Sequence, residues 1–583
     1  MFSIFKKLGW FFKENWVRYT VAITLLAVVN VLDMIPPKLV GMTIDEIHHG
    51  SLNKKKIFMY LLYLGLTGVS LYILCYHWMY KLFGGAFLLE RKMRSKFMGH
   101  LLKMTPTFFE KNRTGDLMAR ATNDLKAIST TAGFGILTLA DSILYTFAIL
   151  FTMGFFISWE LTIVSILPLP VMALLINIYG KKIHKQFTDA QNAFGEMNDS
   201  VLESVSGVRV IRAYVQERLD EKRFADMTED VYKKNLQVAK IDSLFDPTIK
   251  VLVGMSYLIG LGYGAKLVFA QSITLGELVS FNVYLGMLIW PMFAIGELIN
   301  IMQRGNASLD RVQETLLYEP DVQDGRDAAV DVTPSYIDYD NVTFSYPSSK
   351  GKNLQNIKVR INRGETLGIV GKTGSGKTTF IKQLLREYPL GEGKLIIGDV
   401  HLENLPLEEI RGWIGYVPQD PFLFSRTVKE NILFGKPDAT EQELVKAIAL
   451  ADFKKDLEML PDRLETLVGE KGVALSGGQK QRISIARALI RDPEILILDD
   501  SLSAVDAKTE KNIIENIQNV RFGKTTLITT HRLSAVQHAD WIIVLDEGRI
   551  VEEGKHEQLL ENNGWYKEQF ERQQIEEGRG VIA

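Results

Sequence analysis

The sequence predicts an all-α transmembrane domain fused to an α/β domain. The 583-residue chain is 47% hydrophobic although 23% of its residues are charged, so the apolar residues must be unevenly distributed. Six stretches in the first half each hold about 20 mostly apolar residues, the length that a helix needs to cross a bilayer. From about residue 335, short β-rich runs alternate with helical segments. The expected boundaries are a transmembrane domain at 1–320, a linker at 321–334 and the α/β domain at 335–583.

The predicted spans lie at roughly 19–43, 57–83, 133–157, 160–180, 247–270 and 277–301. Only Ser158-Trp159-Glu160 separates the third span from the fourth, which predicts an antiparallel hairpin because backbone polar groups in lipid must be satisfied within helices. Pro36 and Pro37 should break or kink the first span near its far end, since proline removes a helix hydrogen bond.

Basic residues predict the orientation of the spans. Segments 91–126 and 181–240 are rich in Lys and Arg, so both are expected in the cytoplasm, although Lys54-Lys55-Lys56 then falls on the outer side. Both segments are expected to be helical, with candidate tips at 117–125 and 208–216 that would dock on the α/β domain. The alternative is that they are only solvated extensions of the membrane helices.

Aromatic and basic residues alternate at near-helical spacing over residues 1–19. This predicts an amphipathic helix on the inner membrane surface, and the pattern does not match a cleavable signal peptide. The single cysteine, Cys75, leaves no partner for an intrachain disulfide. A net charge of -2 gives no indication of nucleic-acid binding.

Ionisable residues within the predicted spans are few, and the candidates among them are Asp33, His77, Asp141, Lys250 and Glu297. Charge within a membrane is costly unless it faces water or a partner. Asp33 and Lys250 are interpreted as interfacial. Asp141 and Glu297 are candidates to line an inward-facing cavity and to attract cationic, amphipathic compounds.

A Gly-rich loop follows the apolar run 366–370 and precedes a predicted helix at about 377–386. This strand–loop–helix order predicts a P-loop, in which backbone N–H groups and a helix N-terminus hold phosphates. Lys377 is expected to contact the β- and γ-phosphates of ATP, and Thr378 to coordinate Mg²⁺. The residues of this loop expected to bind ATP are Gly371, Thr373, Gly374, Ser375, Gly376, Lys377, Thr378 and Thr379.

Two further motifs follow in order. The pentapeptide Leu475–Gln479 lies 20 residues before Asp499, and Asp499 follows the apolar run 495–498. Asp499 should emerge at the carboxyl edge of the sheet, where ligands bind in such folds, and hold Mg²⁺. The three motifs together resemble the ATP-binding cassette (ABC) family. The resemblance spans essentially the whole chain and includes the two long cytoplasmic segments of type IV ABC exporters, each of which ends in a coupling helix.

The resemblance implies roles for residues outside the P-loop. The implied ATP-binding residues are Tyr346, which stacks on adenine, Gln419, which also binds Mg²⁺, Asp499, His531, and the signature residues Ser476, Gly477, Gly478 and Gln479. In the family the signature clamps the γ-phosphate of ATP held by another cassette. Asp506 matches a loop at the dimer interface, and Thr466–Gly472 matches an exporter-specific loop that touches coupling helices. His531 and Gln419 are implied in catalysis together with Asp500.

Asp500 departs from the family pattern, in which a glutamate orients the attacking water. Aspartate is one methylene shorter, so its oxygens fall short by roughly 1–1.5 Å, and such a misplacement can slow a reaction on the order of 10²-fold. The alternative is that a local backbone adjustment keeps Asp500 working as a base.

The intact signature and altered base together predict one half of a heterodimer. This arrangement resembles the bacterial heterodimeric multidrug exporters, and the resemblance implies ATP-driven export of amphipathic drugs or other hydrophobic compounds across a cytoplasmic membrane. The partner half would carry the glutamate and form the competent site, and this chain's own site would be degenerate. ATP and Mg²⁺ are the expected cofactors, and small amphipathic compounds and membrane lipid are the expected contacts, with no nucleic acid. The alternatives are a homodimeric lipid flippase and an ATP-dependent sensor or regulator with little transport.

Overall fold

The computed structural model describes residues 3–324, 332–349, 351–469 and 473–579. The chain divides into two compact units: Met1–Leu102 with Thr114–Tyr318, and Lys103–Arg113 with Glu319–Ala583. The short segment Lys103–Arg113 therefore belongs to the second unit, although its neighbours in sequence on both sides belong to the first.

The first unit is all α. Among the described residues, six helices are long and apolar enough to cross a membrane, which confirms the predicted number of spans. In chain order they are Trp16–His48, Lys54–Leu101, Thr114–Phe156, Trp159–Ser206, Glu217–Phe269 and Leu275–Leu317. They are called the first to sixth spans below. Short helices Ser3–Lys7, Gly9–Glu14 and Val208–Ala213 complete this unit.

Sequence features set the breaks in these spans. The first span is interrupted between helices Trp16–Leu32 and Ile35–His48, where Pro36 and Pro37 begin the second helix, as predicted. The fourth span divides into Trp159–Ile166 and Pro168–Ser206, the fifth into Glu217–Asp242 and Phe245–Phe269, and the sixth into Leu275–Met287 and Ile289–Leu317.

A serine cap starts the hairpin between the third and fourth spans. The Ser158 hydroxyl accepts a hydrogen bond from the Leu161 N–H at 3.3 Å, satisfying one of the free donors at the start of the helix. Helices Thr146–Phe156 and Trp159–Ile166 are joined only by Ile157 and Ser158 and contact each other, as expected for the predicted antiparallel hairpin.

The third span alternates α-helical with π-helical turns. Its α segments are Thr114–Ala119, Leu125–Thr130, Ile136–Ala140 and Thr146–Phe156, and its π segments are Arg120–Asp124, Thr131–Gly135 and Asp141–Tyr145. Isolated π turns are uncommon and are frequent at functional sites.

The first predicted cytoplasmic tip, 117–125, is wrong. These residues lie inside the third span, where buried Asp124 accepts a hydrogen bond at 2.9 Å from Nε of Arg311 on the sixth span. The short helix that joins the second unit is instead Pro106–Lys111. Proline at its first turn is suited to starting a helix there. The second predicted tip does contain a short helix, Val208–Ala213.

The N-terminal segment packs inside the first unit. Ile4, Leu8 and Phe11 are at most 1% exposed and join the apolar cluster that includes Met302 and Leu309 of the sixth span. The predicted amphipathic character is present, but the apolar face is covered by protein.

The second unit contains two β-sheets. Its strands are β1 (Tyr336–Phe344), β2 (Leu354–Asn362), β3 (Thr366–Gly371), β4 (Glu392–Ile397), β5 (Val400–His401), β6 (Ile414–Val417), β7 (Ile495–Asp499), β8 (Thr525–Thr529), β9 (Trp541–Asp546) and β10 (Arg549–Gly554). One sheet has the antiparallel order β2-β1-β4-β5, and the other has the order β10-β9-β3-β8-β7-β6. In the larger sheet only β10 is antiparallel.

Helices pack against the larger sheet through two clusters of buried apolar side chains. The α-helices of this unit are Pro106–Lys111, Lys377–Leu384, Leu407–Trp413, Val428–Leu433, Glu441–Leu450, Lys454–Met459, Gly477–Leu489, Ala507–Val520, His556–Glu561 and Trp565–Arg579. Short 3₁₀ turns lie at Leu402–Asn404, Arg463–Glu465 and Leu533–Ala535. Because β3, β7 and β8 run parallel, the loops after their carboxyl ends meet at one edge of the sheet.

Candidate functional site

The P-loop connects the end of β3 with helix Lys377–Leu384, as predicted. Its glycines Gly371, Gly374 and Gly376 have φ values of 145°, 82° and 107°, which side chains rarely tolerate. A Cβ on Gly371 would lie 2.1 Å from the Leu545 carbonyl oxygen. The loop therefore needs glycine for its shape and leaves a backbone cradle of the kind that holds phosphates.

Lys377 folds back over this cradle. Its Nζ donates hydrogen bonds to the carbonyl oxygens of Gly371 at 2.8 Å and Lys372 at 2.9 Å. Burial lowers the pKa of Lys377 to about 8, while the carboxylates of Asp500 and Asp499 act in the opposite direction. The ammonium group is thus placed above the loop, where phosphate oxygens can replace the two carbonyls as its partners.

Asp499 is buried at the end of β7 and accepts three hydrogen bonds. The donors are Thr529 Oγ1 at 2.6 Å, Thr378 Oγ1 at 3.1 Å and the Tyr416 hydroxyl at 3.3 Å. These bonds fix the direction of the carboxylate. A carboxylate beside a threonine hydroxyl supplies the hard oxygen ligands that Mg²⁺ prefers, so the residues present fit that ion.

Asp500 follows in a left-handed backbone conformation with φ of 44°. Its N–H donates to the carbonyl oxygen of Thr529 at 2.9 Å and to the hydroxyl of the same residue at 3.0 Å. Burial raises the pKa of the Asp500 carboxyl, and the nearby His531 and Lys377 oppose that rise. Burial, followed by the charge of Lys377, lowers the pKa of His531.

A pocket of about 250 Å³ brings most predicted nucleotide-site residues together. Its lining contains Asn353, Thr373, Gly374, Gly376, Lys377, Thr378, Thr379, Gln419, Asp499, Asp500, Thr529 and His531. Tyr346 is adjacent, since its hydroxyl lies 3.1 Å from Thr379 Oγ1. The structure therefore gathers the predicted phosphate, Mg²⁺ and catalytic groups at the sheet edge.

The signature residues Ser476, Gly477 and Gly478 do not line this pocket. Ser476 caps the helix Gly477–Leu489, and its hydroxyl accepts from the Gln479 N–H at 3.3 Å. Ser476 and Gly477 are exposed. The positive end of a 13-residue helix is thus exposed and lies outside the pocket that holds the phosphate cradle of its own chain.

The signature helix packs instead on the loop that contains Ala504. The Ala504 N–H donates to Gln481 Oε1 at 3.1 Å, and a Cβ on Gly478 would lie 2.9 Å from the Ala504 carbonyl oxygen. Asp506 caps the next helix by accepting from the Thr509 N–H. Of the predicted exporter-specific loop, residues 470–472 lie outside the described part of the chain.

Sequence reasoning missed three residues that contact the site. Thr529 bonds to Asp499 and Asp500, Tyr416 bonds to Asp499, and Asn353 lines the pocket. Thr529 and Thr530 immediately precede His531, so the only signal for Thr529 was its place in the histidine motif.

The candidate acids of the membrane-spanning unit occupy different environments. Asp141 is 9% exposed and accepts a hydrogen bond from Nε1 of Trp290 at 3.1 Å. Asp33 immediately follows helix Trp16–Leu32, at the break in the first span. Glu297 is exposed on the sixth span, while Lys250 forms an ion pair with Asp246 at 2.7 Å.

Trp290 joins Asp141 to a face of the sixth span that also carries Glu297. Trp290, Phe293 and Glu297 have the spacing i, i+3, i+7 and therefore lie on one face of the sixth span. Trp290 is 52% exposed and Phe293 39% exposed. Asp141 is thus joined to one end of an aromatic stripe that ends at Glu297.

Comparison with known proteins identifies both units. Residues 19–292 match the ABC transporter transmembrane region, and residues 354–503 match the ABC transporter family. The chain is 65% identical to the probable multidrug resistance ABC transporter ATP-binding/permease protein YheI of Bacillus subtilis, over 99% of this chain and 98% of that protein. It is also 34% identical to the ATP-dependent lipid A-core flippase of Syntrophus aciditrophicus, over 81% of this chain and 78% of that protein.

The fold matches a solved structure described as a bacterial Atm1-family ABC exporter with ATP bound. The TM-score is 0.79 at 25% sequence identity, and the match covers 95% of this chain and 99% of the other. Six apolar helices fused to a P-loop ATPase unit, with this likeness over nearly the whole chain, establish the family. The chain belongs to the ABC transporters, as a multi-pass, ATP-hydrolysing exporter of the bacterial inner membrane.

Proposed function

We propose that the chain is one half of a heterodimeric exporter that uses ATP to move amphipathic drugs or other hydrophobic compounds across the cytoplasmic membrane. The observation that carries this proposal is the position of Ser476 and Gly477, which are exposed at a helix N-terminus and do not line their own chain's P-loop pocket. A helix N-terminus favours a phosphate group. The group that completes the arrangement is the γ-phosphate of ATP held by a second cassette.

In this chain's own pocket, Lys377 and the backbone of the P-loop would bind the phosphates, and Tyr346 would stack on adenine. Thr378, Asp499 and Gln419 would hold Mg²⁺, which neutralises the phosphate charge. Gln419 and His531 face the same pocket and would contact the γ-phosphate side. Thr529 would keep the Asp499 carboxylate directed at the metal through its hydrogen bond at 2.6 Å.

The pocket would retain ATP rather than hydrolyse it quickly. Asp500 occupies the position of the water-orienting group. Its backbone N–H donates to both the carbonyl oxygen and the hydroxyl of Thr529, and these two hydrogen bonds fix the backbone of Asp500. A short side chain on a fixed backbone cannot extend to the distance that glutamate reaches. The partner subunit would supply a glutamate at this position and form the fast site with Ser476 and Gly478 of this chain.

Transport would follow alternating access. ATP would bring the two cassettes together, and the cytoplasmic helices Pro106–Lys111 and Val208–Ala213 would transmit closure to the membrane helices. ATP can drive this change only if it binds the closed state more tightly than the open state. Hydrolysis at the fast site would return the pair to the open state.

The test compares two variants in the transporter co-purified from its native host. Ser476→Ala should lower ATP hydrolysis at least about 10-fold, because it removes a hydrogen bond to a charged phosphate. Asp500→Asn should leave most of the hydrolysis in place. Steady-state ATPase rates in lipid nanodiscs measure both, and mass spectrometry of the purified complex identifies the second subunit.

The reverse ranking, or a fast transporter assembled from this chain alone, would overturn the heterodimer proposal. The likeness to a lipid A-core flippase favours one second candidate, a homodimeric flippase. Vesicle assays separate the candidates: ATP-driven dye uptake supports drug export, ATP-driven lipid reorientation supports a flippase, and neither activity supports a sensor or regulator.

A further inference from the structure

A tyrosine outside the proposed nucleotide pocket contacts the short helix Pro106–Lys111. The Tyr388 hydroxyl donates a hydrogen bond to Oε1 of Glu110 at 2.6 Å. Tyr388 is 1% exposed, whereas Glu110 is exposed. Burial, followed by the hydrogen bond to Glu110, raises the pKa of Tyr388, so its hydroxyl remains a donor at neutral pH.

The ring of Tyr388 also contacts Tyr346, the residue proposed to stack on adenine. The rings of Tyr388 and Tyr346 meet edge to face, with centroids 4.9 Å apart and planes at 79°. Such aromatic pairs are orientation-dependent, so moving one ring changes the energy of the other. Tyr346 in turn bonds to Thr379 of the P-loop helix at 3.1 Å.

Lys382 connects the two rings to the same helix. Its Nζ lies 5.7 Å from the Tyr388 ring centroid and 5.8 Å from that of Tyr346, within the range of a cation–π contact. The two tyrosines and the P-loop helix therefore form one packed group, and Glu110 joins that group to the helix Pro106–Lys111.

A second contact fixes the start of the same segment. Thr105 Oγ1 donates to Asp321 Oδ1 at 2.7 Å. Two residues later the Gln323 carbonyl oxygen accepts from Arg386 at 2.7 Å, and Arg386 is only 4% exposed. The segment Lys103–Arg113 is thus held at Glu110 by Tyr388 and at Thr105 by Asp321. Arg386, just after the P-loop helix, holds the chain two residues beyond Asp321.

We propose that Tyr388 is a positioning residue that couples the helix Pro106–Lys111 to the adenine base of bound ATP. Glu110 holds the Tyr388 hydroxyl, Tyr388 sets the tilt of Tyr346, and Tyr346 stacks on the base. Coupling between two sites is reciprocal, so adenine binding also stabilises the docked position of this helix. The inference depends on the proposed function of Tyr346.

The test is hydrogen exchange in peptides from segment 103–113 of the full-length transporter in nanodiscs. In the wild type, MgATP should slow exchange there, whereas Mg tripolyphosphate, which lacks adenine, should not. Tyr388→Phe keeps the ring and removes the hydroxyl, and should reduce the ATP-dependent slowing about 10-fold, the effect of losing a hydrogen bond to a charged group. Glu110→Gln keeps an acceptor and should retain the slowing.

Glu110→Leu provides a second route that leaves the buried tyrosine intact. It should match Tyr388→Phe, and the double variant should be no worse than either alone, since both remove the same bond. Full ATP-dependent slowing in Tyr388→Phe, or equal slowing by tripolyphosphate in the wild type, would overturn the inference. Failure of ATP to alter exchange in the P-loop of the wild type would instead contradict the proposed function.

Discussion

Thr529 forms hydrogen bonds to both acids of the candidate site, Asp499 and Asp500. Its hydroxyl donates to Asp499 at 2.6 Å and accepts from the Asp500 N–H at 3.0 Å. One side chain therefore orients the proposed Mg²⁺ ligand and fixes the backbone of Asp500, the residue at the proposed catalytic position.

Thr529→Val should raise the Mg²⁺ concentration needed to retain ATP on this chain about 10-fold, because a buried carboxylate loses a donor and the shape is kept. Photolabelling with azido-ATP, followed by washing at graded Mg²⁺ concentrations, measures retention on this chain separately from its partner. Thr529→Ser keeps the hydroxyl and should behave like the wild type. Thr525→Val, on the same strand but at its other end, controls for the loss of a strand hydroxyl. An unchanged Mg²⁺ requirement in Thr529→Val would exclude this role.

The P-loop could be predicted from the sequence because its strand, glycines and lysine are contiguous. Thr529 could not, because its contact with Asp499 arises from the pairing of β7 with β8, in which these two residues are in register. Thirty residues separate them in the chain, and nothing local to either one specifies that register. Tyr416 on β6 and Asn353 before β2 were missed for the same reason.

At the scale of elements, two glycines allow a close crossing between the first and sixth spans. A Cβ on Gly276 would lie 2.0 Å from the Gly41 carbonyl oxygen. Asp45 fastens this crossing by accepting from the Gly276 N–H at 2.7 Å and from the Thr274 hydroxyl at 2.6 Å. Small residues at such crossings let helix backbones approach closely.

Gly276→Ala should destabilise the protein by about 1–3 kcal/mol, because the added carbon overlaps backbone that cannot move aside. The unfolding midpoint of the detergent-solubilised protein, followed by intrinsic fluorescence, measures this change. Gly296→Ala is the matched control, since a Cβ at Gly296 in the same span meets nothing within 4 Å and alanine favours helix. Equal midpoints for the two variants would mean that the crossing is looser than the structure shows.

The wrong prediction of a cytoplasmic tip at 117–125 shows that periodicity and composition do not decide which helical segment docks on the second unit. Apolar length predicted the six spans, because a helix in lipid must satisfy its own backbone. Mixed apolar and basic residues at 117–125 matched a docking helix equally well, but the bond between Asp124 and Arg311 holds that stretch against the sixth span. The partner lies 187 residues away, so only the tertiary structure distinguishes 117–125 from Pro106–Lys111.

At the scale of the whole molecule, the candidate drug-contacting surface is the stripe formed by Trp290, Phe293 and Glu297, with Asp141 bonded to its first residue at 3.1 Å. Aromatic faces and carboxylates together favour cationic, aromatic compounds. Neither Asp141 nor Glu297 forms an ion pair with a described Lys or Arg. No described cation therefore competes with a substrate for either carboxyl group.

Replacing both acids, as Asp141→Asn with Glu297→Gln, should lower kcat/KM for transport of a cationic dye about 10-fold, because amides keep hydrogen bonding but lose the charge that a cation needs. Transport of an uncharged compound of similar size should change less than the dye. The assay is ATP-driven uptake into inside-out vesicles that contain the complete transporter. Trp290→Phe refines the result: it keeps an aromatic face and removes the donor to Asp141, so it should weaken dye transport less than the double variant. Equal transport of the cationic dye by the double variant and the wild type would place the substrate contacts elsewhere, on the partner or on another face of this chain.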